Sequence, residues 1–271
     1  MNVHPTAIID PSAIFGSGVT VGPYAVIGPD VRLGDRCQIG AHAVVEYTQM
    51  GSDCRVFPGA FLGLEPQHLK YKGEKTSVVI GSRCVFREGV TVHRGTALDQ
   101  SVTTIGDDCY LMALAHVAHD CRIADHVIIV NTAQLAGHVS VGAHAFISTS
   151  VGIHQFVRIG TGAIVSGGAM VSLDVAPFSI AQGDRASLQG VNIVGMRRMG
   201  ADRNSIRLIR QAYRTTFLSS LLLKDALEHP ALREDNPYVK SFRKFLELPK
   251  RGFLRPSSAD LKDLAEEEAL A

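Results

Sequence analysis

An aliphatic residue returns at every sixth position through most of this chain, and that period limits the fold more than any other feature. With this residue as position 1, the series runs Val3, Ile9, Phe15, Val21, Ile27, Leu33, Ile39 and Val45. After a five-residue step it continues at Met50, Val56 and Leu62, then at Ile80, Phe86 and Val92, and finally from Ile105 at every sixth residue to Val171. These make 26 hexapeptides, and position 5 is Ala, Val, Cys or Thr in all of them except at Gln49 and Pro66. Position 2 is often glycine, as at Gly16, Gly22, Gly28, Gly34, Gly40, Gly106, Gly142 and Gly160. A period of six fits no helix. It fits short strands joined by tight corners, with position 1 inward, a small residue tucked beside it, and glycine serving the bends. One such coil buries its core only by stacking on its neighbours. The 26 glycines, the absence of tryptophan and an aromatic content of 6% suit a core too narrow for large rings.

Composition excludes several classes. A hydrophobic fraction of 46% excludes a disordered chain. Balanced charge, 27 Lys+Arg against 26 Asp+Glu, argues against a nucleic-acid binder. No apolar run approaches the roughly 18 residues of a membrane span. The start, Met1-Asn2-Val3-His4-Pro5, shows no basic and apolar regions of a signal peptide, so the cytoplasm is the expected location.

The tandem pattern resembles the hexapeptide-repeat acyltransferases, whose [LIV]-G-x-x-[STAV]-x units build a left-handed parallel β-helix. The resemblance implies three hexapeptides per coil, and hence an all-β solenoid of about nine coils, roughly 43 Å long. The expected organisation is a β-helix over residues 1–189, with insertions near 64–78 and 97–104. A C-terminal helical domain follows over 190–255, then an acidic tail over 256–271. From about Gly190 the pattern becomes helical; Asn204–Tyr213 carries apolar residues at helical spacing, and Arg203, Arg207, Arg210 and Arg214 share the same period. This basic stripe reads either as a solvated face or as a contact for phosphate or an acidic partner protein. Asn236-Pro237 predicts a helix start, with the helix running to about Leu248. All five cysteines (Cys37, Cys54, Cys84, Cys109 and Cys121) fall at position 5. They read as small packing residues kept reduced, since no Cys-x-x-Cys occurs.

Function in a solenoid concentrates where the repeat is broken. At three repeats per coil, Val45, Leu62, Val92, Val117, Leu135 and Ile153 form one column, and both insertions leave from its edge. The residues just after this column include His93, His119, His138 and His154, which therefore converge beside two protruding loops. His4, His42, His126 and His144 occupy ordinary corners and read as solvated. A cleft histidine titrating near neutrality suits general-base work.

The stretch Ala115-His116-Val117-Ala118-His119-Asp120-Cys121 resembles the catalytic segment of the acyl-carrier-protein-dependent UDP-N-acetylglucosamine acyltransferases, which begin lipid A synthesis. Further similarity lies in Gln67-His68-Leu69-Lys70-Tyr71, Thr91–Thr96, Leu135–Val141, His154-Gln155-Phe156, Ile180–Gly183 and Gly190–Ile193. The resemblance implies transfer of a (3-hydroxy)acyl chain from acyl carrier protein to the sugar 3-hydroxyl. It implies a homotrimer with sites in grooves between prisms, no cofactor beyond the carrier-protein thioester, and no metal. His119 is then the general base, Asp120 its orienting partner and the Gly137 N–H the oxyanion donor. The Asp120 role requires a corner, because neighbours on a strand point apart. Gln67, His68, Lys70, His93, His116, His138 and His154 would hold sugar, phosphate or acyl hydroxyl. Asn192 and Arg198 would contact nucleotide or pyrophosphate. Gly167 matches the position that gauges acyl length, and an open glycine there predicts a longer chain. Two positions depart from the family pattern. His68 stands where aspartate is common, which leaves open a 3-amino sugar as acceptor. Val194 stands where some relatives are acidic.

Three other readings fit the sequence less well. The later N-acyltransferase of the same pathway normally carries a globular domain before its repeats, whereas here the repeats start at Val3. A γ-class carbonic anhydrase needs three zinc histidines with Gly-Cys after the second, whereas His119 is followed by Asp120. An ice-binding solenoid would show flat threonine arrays, which this sequence lacks.

Overall fold

A computed structural model describes residues 2–248 and 251–257. Most of the prism consists of two-residue strands, each formed by positions 6 and 1 of a hexapeptide, such as Val26–Ile27 and His116–Val117. Strands three apart in sequence pair in parallel, so three hexapeptides make one coil and three sheets of 11, nine and eight strands form the faces. The coil is a left-handed parallel β-helix. The register Val45–Leu62–Val92–Val117–Leu135–Ile153 is one continuous column, as the spacing predicts. Its inward residues are almost wholly buried. The cysteines are free and buried among them.

Corners fall at positions 3 and 4, and position 4 adopts left-handed backbone: Asp30 has φ 54°, His42 58°, Asp120 60°, His138 61° and Phe156 67°. Asp, Asn and His tolerate this conformation better than most residues, and several of the corner residues are of these types. Apart from Gly63 (φ 81°), where the first insertion leaves, the position-2 glycines do not supply the bend, contrary to the sequence-based expectation. They allow close stacking of coils: a Cβ on Gly34 would stand 2.7 Å from the backbone of Gly51 and Ser52 in the next coil.

The first insertion leaves after Phe61–Leu64 and returns at Ser77–Ile80; the second leaves after Thr91–His93 and returns at Val102–Ile105. Arg94, 5% exposed, holds the root of the first loop. It donates to Gly63 O (2.9 Å) and Tyr71 Oη (3.1 Å) and lies over the rings of Tyr47 and Tyr71.

At the top, Ser179–Gln182 still pairs in parallel with Ile164–Val165, and Ser187–Val191 closes the sheet antiparallel. Among the described residues, four α-helices follow: α1 (Ile193–Arg198), α2 (Arg203–Tyr213), α3 (Leu223–Glu228) and α4 (Pro237–Leu246). Asp202 caps α2, and Asn236 caps α4 by accepting from Tyr238 N and Val239 N. Helix α4 ends at Leu246, two residues short of the sequence-based expectation. Buried Asp174 ties prism to helices by pairing with Arg158 at 2.8 Å, whose guanidinium stacks on Phe245 of α4. Of the acidic tail, residues 258–271 lie outside the described residues.

Candidate active site

His119 and Asp120 occupy positions 3 and 4 of one corner. The left-handed backbone at Asp120 turns both side chains to the same side, so His119 Nδ1 lies 2.8 Å from Asp120 Oδ2. The corner geometry that the sequence alone left open is therefore present. The second insertion completes the setting of Asp120. Its carboxylate accepts from Thr96 N (3.0 Å) and Thr96 Oγ1 (2.7 Å), and its own N–H donates to Thr103 Oγ1 (2.8 Å). Asp120 is fully buried. Burial pushes its carboxyl up, but the hydrogen bonds from His119 and Thr96 outweigh this and hold its pKa below the ordinary carboxylate value.

The next coil presents Gly137 and His138. A Cβ on Gly137 would stand 2.5 Å from His119 Cε1, so the imidazole lies directly on that backbone. The flanking amides are occupied, Ala136 N by Ile153 O and His138 N by His119 O, while the Gly137 N–H has no acceptor among the described residues. His138 packs its ring edge-on to His119 at 5.2 Å and face-on to Phe156 at 4.4 Å. Its Nδ1 lies 3.1 Å from Asp99 Oδ2 of the second insertion, which also accepts from Arg122. His68, from the first insertion, meets the His119 ring edge-on at 5.0 Å.

His93 and His116 form a second pair, with ring centroids 5.0 Å apart. Burial, reinforced by the neighbouring His116, His119 and Arg94, lowers the His93 pKa to about 4. Its buried Nδ1 has no hydrogen-bond partner among the described residues. His116 is also lowered, by burial and by His119, and its Nδ1 meets Thr91 Oγ1 at 2.7 Å.

A groove of about 860 Å³ runs up the prism from this cluster, lined at its lower end by Gln67, His116, His119, Gly137 and His154. Other predicted site residues do not line it within one chain. Lys70 is exposed on the first loop, Gly167 on a corner, and Arg198 at the end of α1. The Asn192 amide is buried and committed: Oδ1 accepts from Gly195 N as the α1 cap, and Nδ2 donates to Gly162 O. A separate groove of about 1220 Å³ gathers Arg197, Arg203, Arg207, Arg210 and Arg214 beside the last strand.

The sequence reading missed Thr96, Asp99, Thr103 and Arg94. The available signal was their place in or beside an insertion that leaves from the histidine edge. Ligand atoms of His119, Asp120 and His138 lie within 4.8 Å of one another, close enough for a metal ion. The Asp120 carboxylate is already engaged by His119 and Thr96, which makes the arrangement equally a proton relay.

A corner imidazole bonded to a buried carboxylate, beside a groove on a hexapeptide prism, defines a hexapeptide-repeat transferase. The profile described as "Bacterial transferase hexapeptide (six repeats)" matches residues 2–46 and 103–137, and that of "Udp N-acetylglucosamine O-acyltransferase; Domain 2" matches 174–254. The acyl-[acyl-carrier-protein]–UDP-N-acetylglucosamine O-acyltransferase of Verminephrobacter eiseniae is 43% identical over 263 residues, covering 94% of this chain and 99% of the relative. That of Burkholderia lata is 41% identical over 259 residues, covering 93% and 99%. The solved UDP-N-acetylglucosamine O-acyltransferase of Moraxella catarrhalis superposes with a TM-score of 0.91 at 36% identity, covering 94% of this chain and all of that one. The chain belongs to the acyl-[acyl-carrier-protein]–UDP-N-acetylglucosamine O-acyltransferase family.

Proposed function

We propose that this chain transfers a (3-hydroxy)acyl group from acyl carrier protein to the 3-hydroxyl of UDP-N-acetylglucosamine, the first step of lipid A biosynthesis. The observation that carries the mechanism is the buried His119–Asp120 pair lying on the backbone of Gly137. Asp120 holds the proton on His119 Nδ1, leaving Nε2 free as the base. Nε2 takes the proton of the sugar hydroxyl as its oxygen attacks the thioester carbonyl carbon. The Gly137 N–H receives the oxyanion that forms. Collapse breaks the carbon–sulfur bond, and His119 returns its proton to the leaving thiolate. No cofactor enters this sequence; the thioester supplies the activated acyl group.

Gln67, His68, His93, His116, His138 and His154 surround the base and suit sugar, phosphate and acyl-hydroxyl contacts. Lys70, Gly167 and Arg198 would serve the groove only from a neighbouring copy, in keeping with a homotrimer. Arg198 then suits the pyrophosphate, whereas Asn192 acts by fixing α1. The cytoplasm, where thiols stay reduced, suits the five buried cysteines.

The test is acyl transfer from acyl carrier protein to UDP-N-acetylglucosamine and, in parallel, to its 3-amino analogue. The edge contact of His68 with His119 keeps the amino acceptor in view, because an imidazole there replaces the carboxylate common in the family. Acylation of the amino sugar alone would overturn the choice of acceptor. Near-normal turnover by His119→Ala would overturn the mechanism.

A further inference from the structure

Arg94 is a buried cation that the mechanism above does not use. It stands two residues after Val92, which pairs with Val117, so it occupies the corner position of His119 one coil below. Burying a guanidinium is costly unless it is well paired, and its carboxylate partner, Glu65, lies 3.5 Å away and largely in solvent. What surrounds the charge instead is the root of the first insertion: Gly63 O, the Tyr71 hydroxyl, and the rings of Tyr71 and Tyr47.

The backbone at Arg94 closes the neck of that insertion. Arg94 N donates to Leu64 O on the leg that leaves (3.1 Å), and Gly95 N to Ser77 O on the leg that returns (3.3 Å). Gly63 gives the departing leg its turn: its φ is 81°, and any side chain there would collide with Glu46 O in the coil below. One residue beyond Gly95, Thr96 holds the Asp120 carboxylate through N and Oγ1. The path from the guanidinium to the base is equally short. Tyr71 N donates to His68 O (2.9 Å), and the His68 ring meets the His119 ring at 5.0 Å. Gln67, beside His68, lines the groove.

We propose that Arg94 is a positioning residue for the acceptor sugar: it clamps the first insertion to the start of the second, and so sets Gln67 and His68 against the His119–Asp120 pair. This rests on the acyl-transfer reading above. Arginine suits the task, because its planar fork bonds Gly63 O and the Tyr71 hydroxyl at once while the rings of Tyr47 and Tyr71 pack against its charge. A loop on a rigid anchor presents its side chains already ordered, whereas a loose loop must be ordered by the substrate itself. The effect of the clamp therefore falls on acceptor binding.

The test is steady-state kinetics with acyl carrier protein thioester and UDP-N-acetylglucosamine. Arg94→Met should raise KM for the UDP-sugar about tenfold or more, with kcat and the KM for the acyl donor changed much less. Tyr71→Phe removes the hydroxyl and keeps the ring, and should raise the same KM by a smaller factor. In Gln67→Ala/His68→Ala, which already lacks both loop side chains at the site, adding Arg94→Met should raise KM by less than about threefold. An unchanged KM in Arg94→Met would overturn the assignment. So would a loss confined to kcat, or an undiminished effect in the Gln67→Ala/His68→Ala background, since Arg94 would then not act through the loop. Circular dichroism and thermal unfolding check the fold. If Arg94→Met does not fold, Tyr71→Phe decides: a raised KM supports the clamp and an unchanged one overturns it. Wild type that acylates no UDP-sugar at all would overturn the acyl-transfer reading itself, a different result.

Discussion

The imidazole of His119 rests on the backbone of Gly137, with the site of a Gly137 Cβ 2.7 Å from His119 Nε2. The base and the amide proposed for the oxyanion are thus one packing unit, built from equivalent corners of consecutive coils. Gly137→Ala should push the ring away and leave the coil intact, because Gly137 is not among the positive-φ residues. The expected outcome is a fall in kcat of about 100-fold or more, with KM for the UDP-sugar changed much less. Steady-state kinetics beside circular dichroism check it; full activity would separate Gly137 from the reacting atoms.

The Asp120 carboxylate takes its position from Thr96 as much as from its own corner. Asp120→Asn should lower kcat by about 100-fold or more by losing the favoured tautomer and the charge that stabilises the imidazolium. Thr96→Val removes the 2.7 Å hydroxyl contact but keeps the backbone one. Its carboxylate is then less stabilised, so the acid limb of the kcat–pH profile should move to higher pH, with a smaller loss at the optimum. An unmoved acid limb in Thr96→Val would show that Asp120 does not tune the base.

The prism was legible because hexapeptide spacing is a local property repeated many times. Each error at one rung, such as Gln49 or Pro66 at position 5, was outvoted by the others. The histidine column was legible for the same reason, since three repeats per coil turn sequence distance into height. The contacts of the second insertion were not: Asp99 meets His138 from loop backbone that follows no period, and Thr96, an ordinary position-5 residue by its spacing, turns to Asp120 instead. Nor could stacking place Asn192 and Arg198, which lie beyond the last regular coil. The reason for the position-2 glycines was misjudged, because a bend and a close approach select the same residue.

His119, Asp120 and His138 offer ligand atoms within 4.8 Å of one another, so metal removal is informative. The acid–base reading expects dialysis against a chelator to leave turnover unchanged, and elemental analysis of active protein to give well under one zinc per chain. Stoichiometric zinc that is lost together with activity would make this cluster a metal centre and Asp120 a ligand.

The buried histidine pair sets a pH dependence of stability. His93 titrates at about 4 in the folded chain against 6.5 ordinarily, and His116 is lowered in the same direction. Between these values the unfolded chain binds protons that the folded chain refuses. Stability is therefore fully present above about pH 6.5 and is lost as pH falls toward 4, by at most about 1.4 kcal/mol per pH unit for each such histidine. His93→Gln removes one titrating group while keeping a polar side chain. Thermal unfolding between pH 7.5 and 4.5 should show a midpoint that drops on acidification in wild type and less steeply in His93→Gln. Equal slopes would mean that His93 accepts its proton in the folded state, through water or a rearranged His116, and is not held neutral by burial.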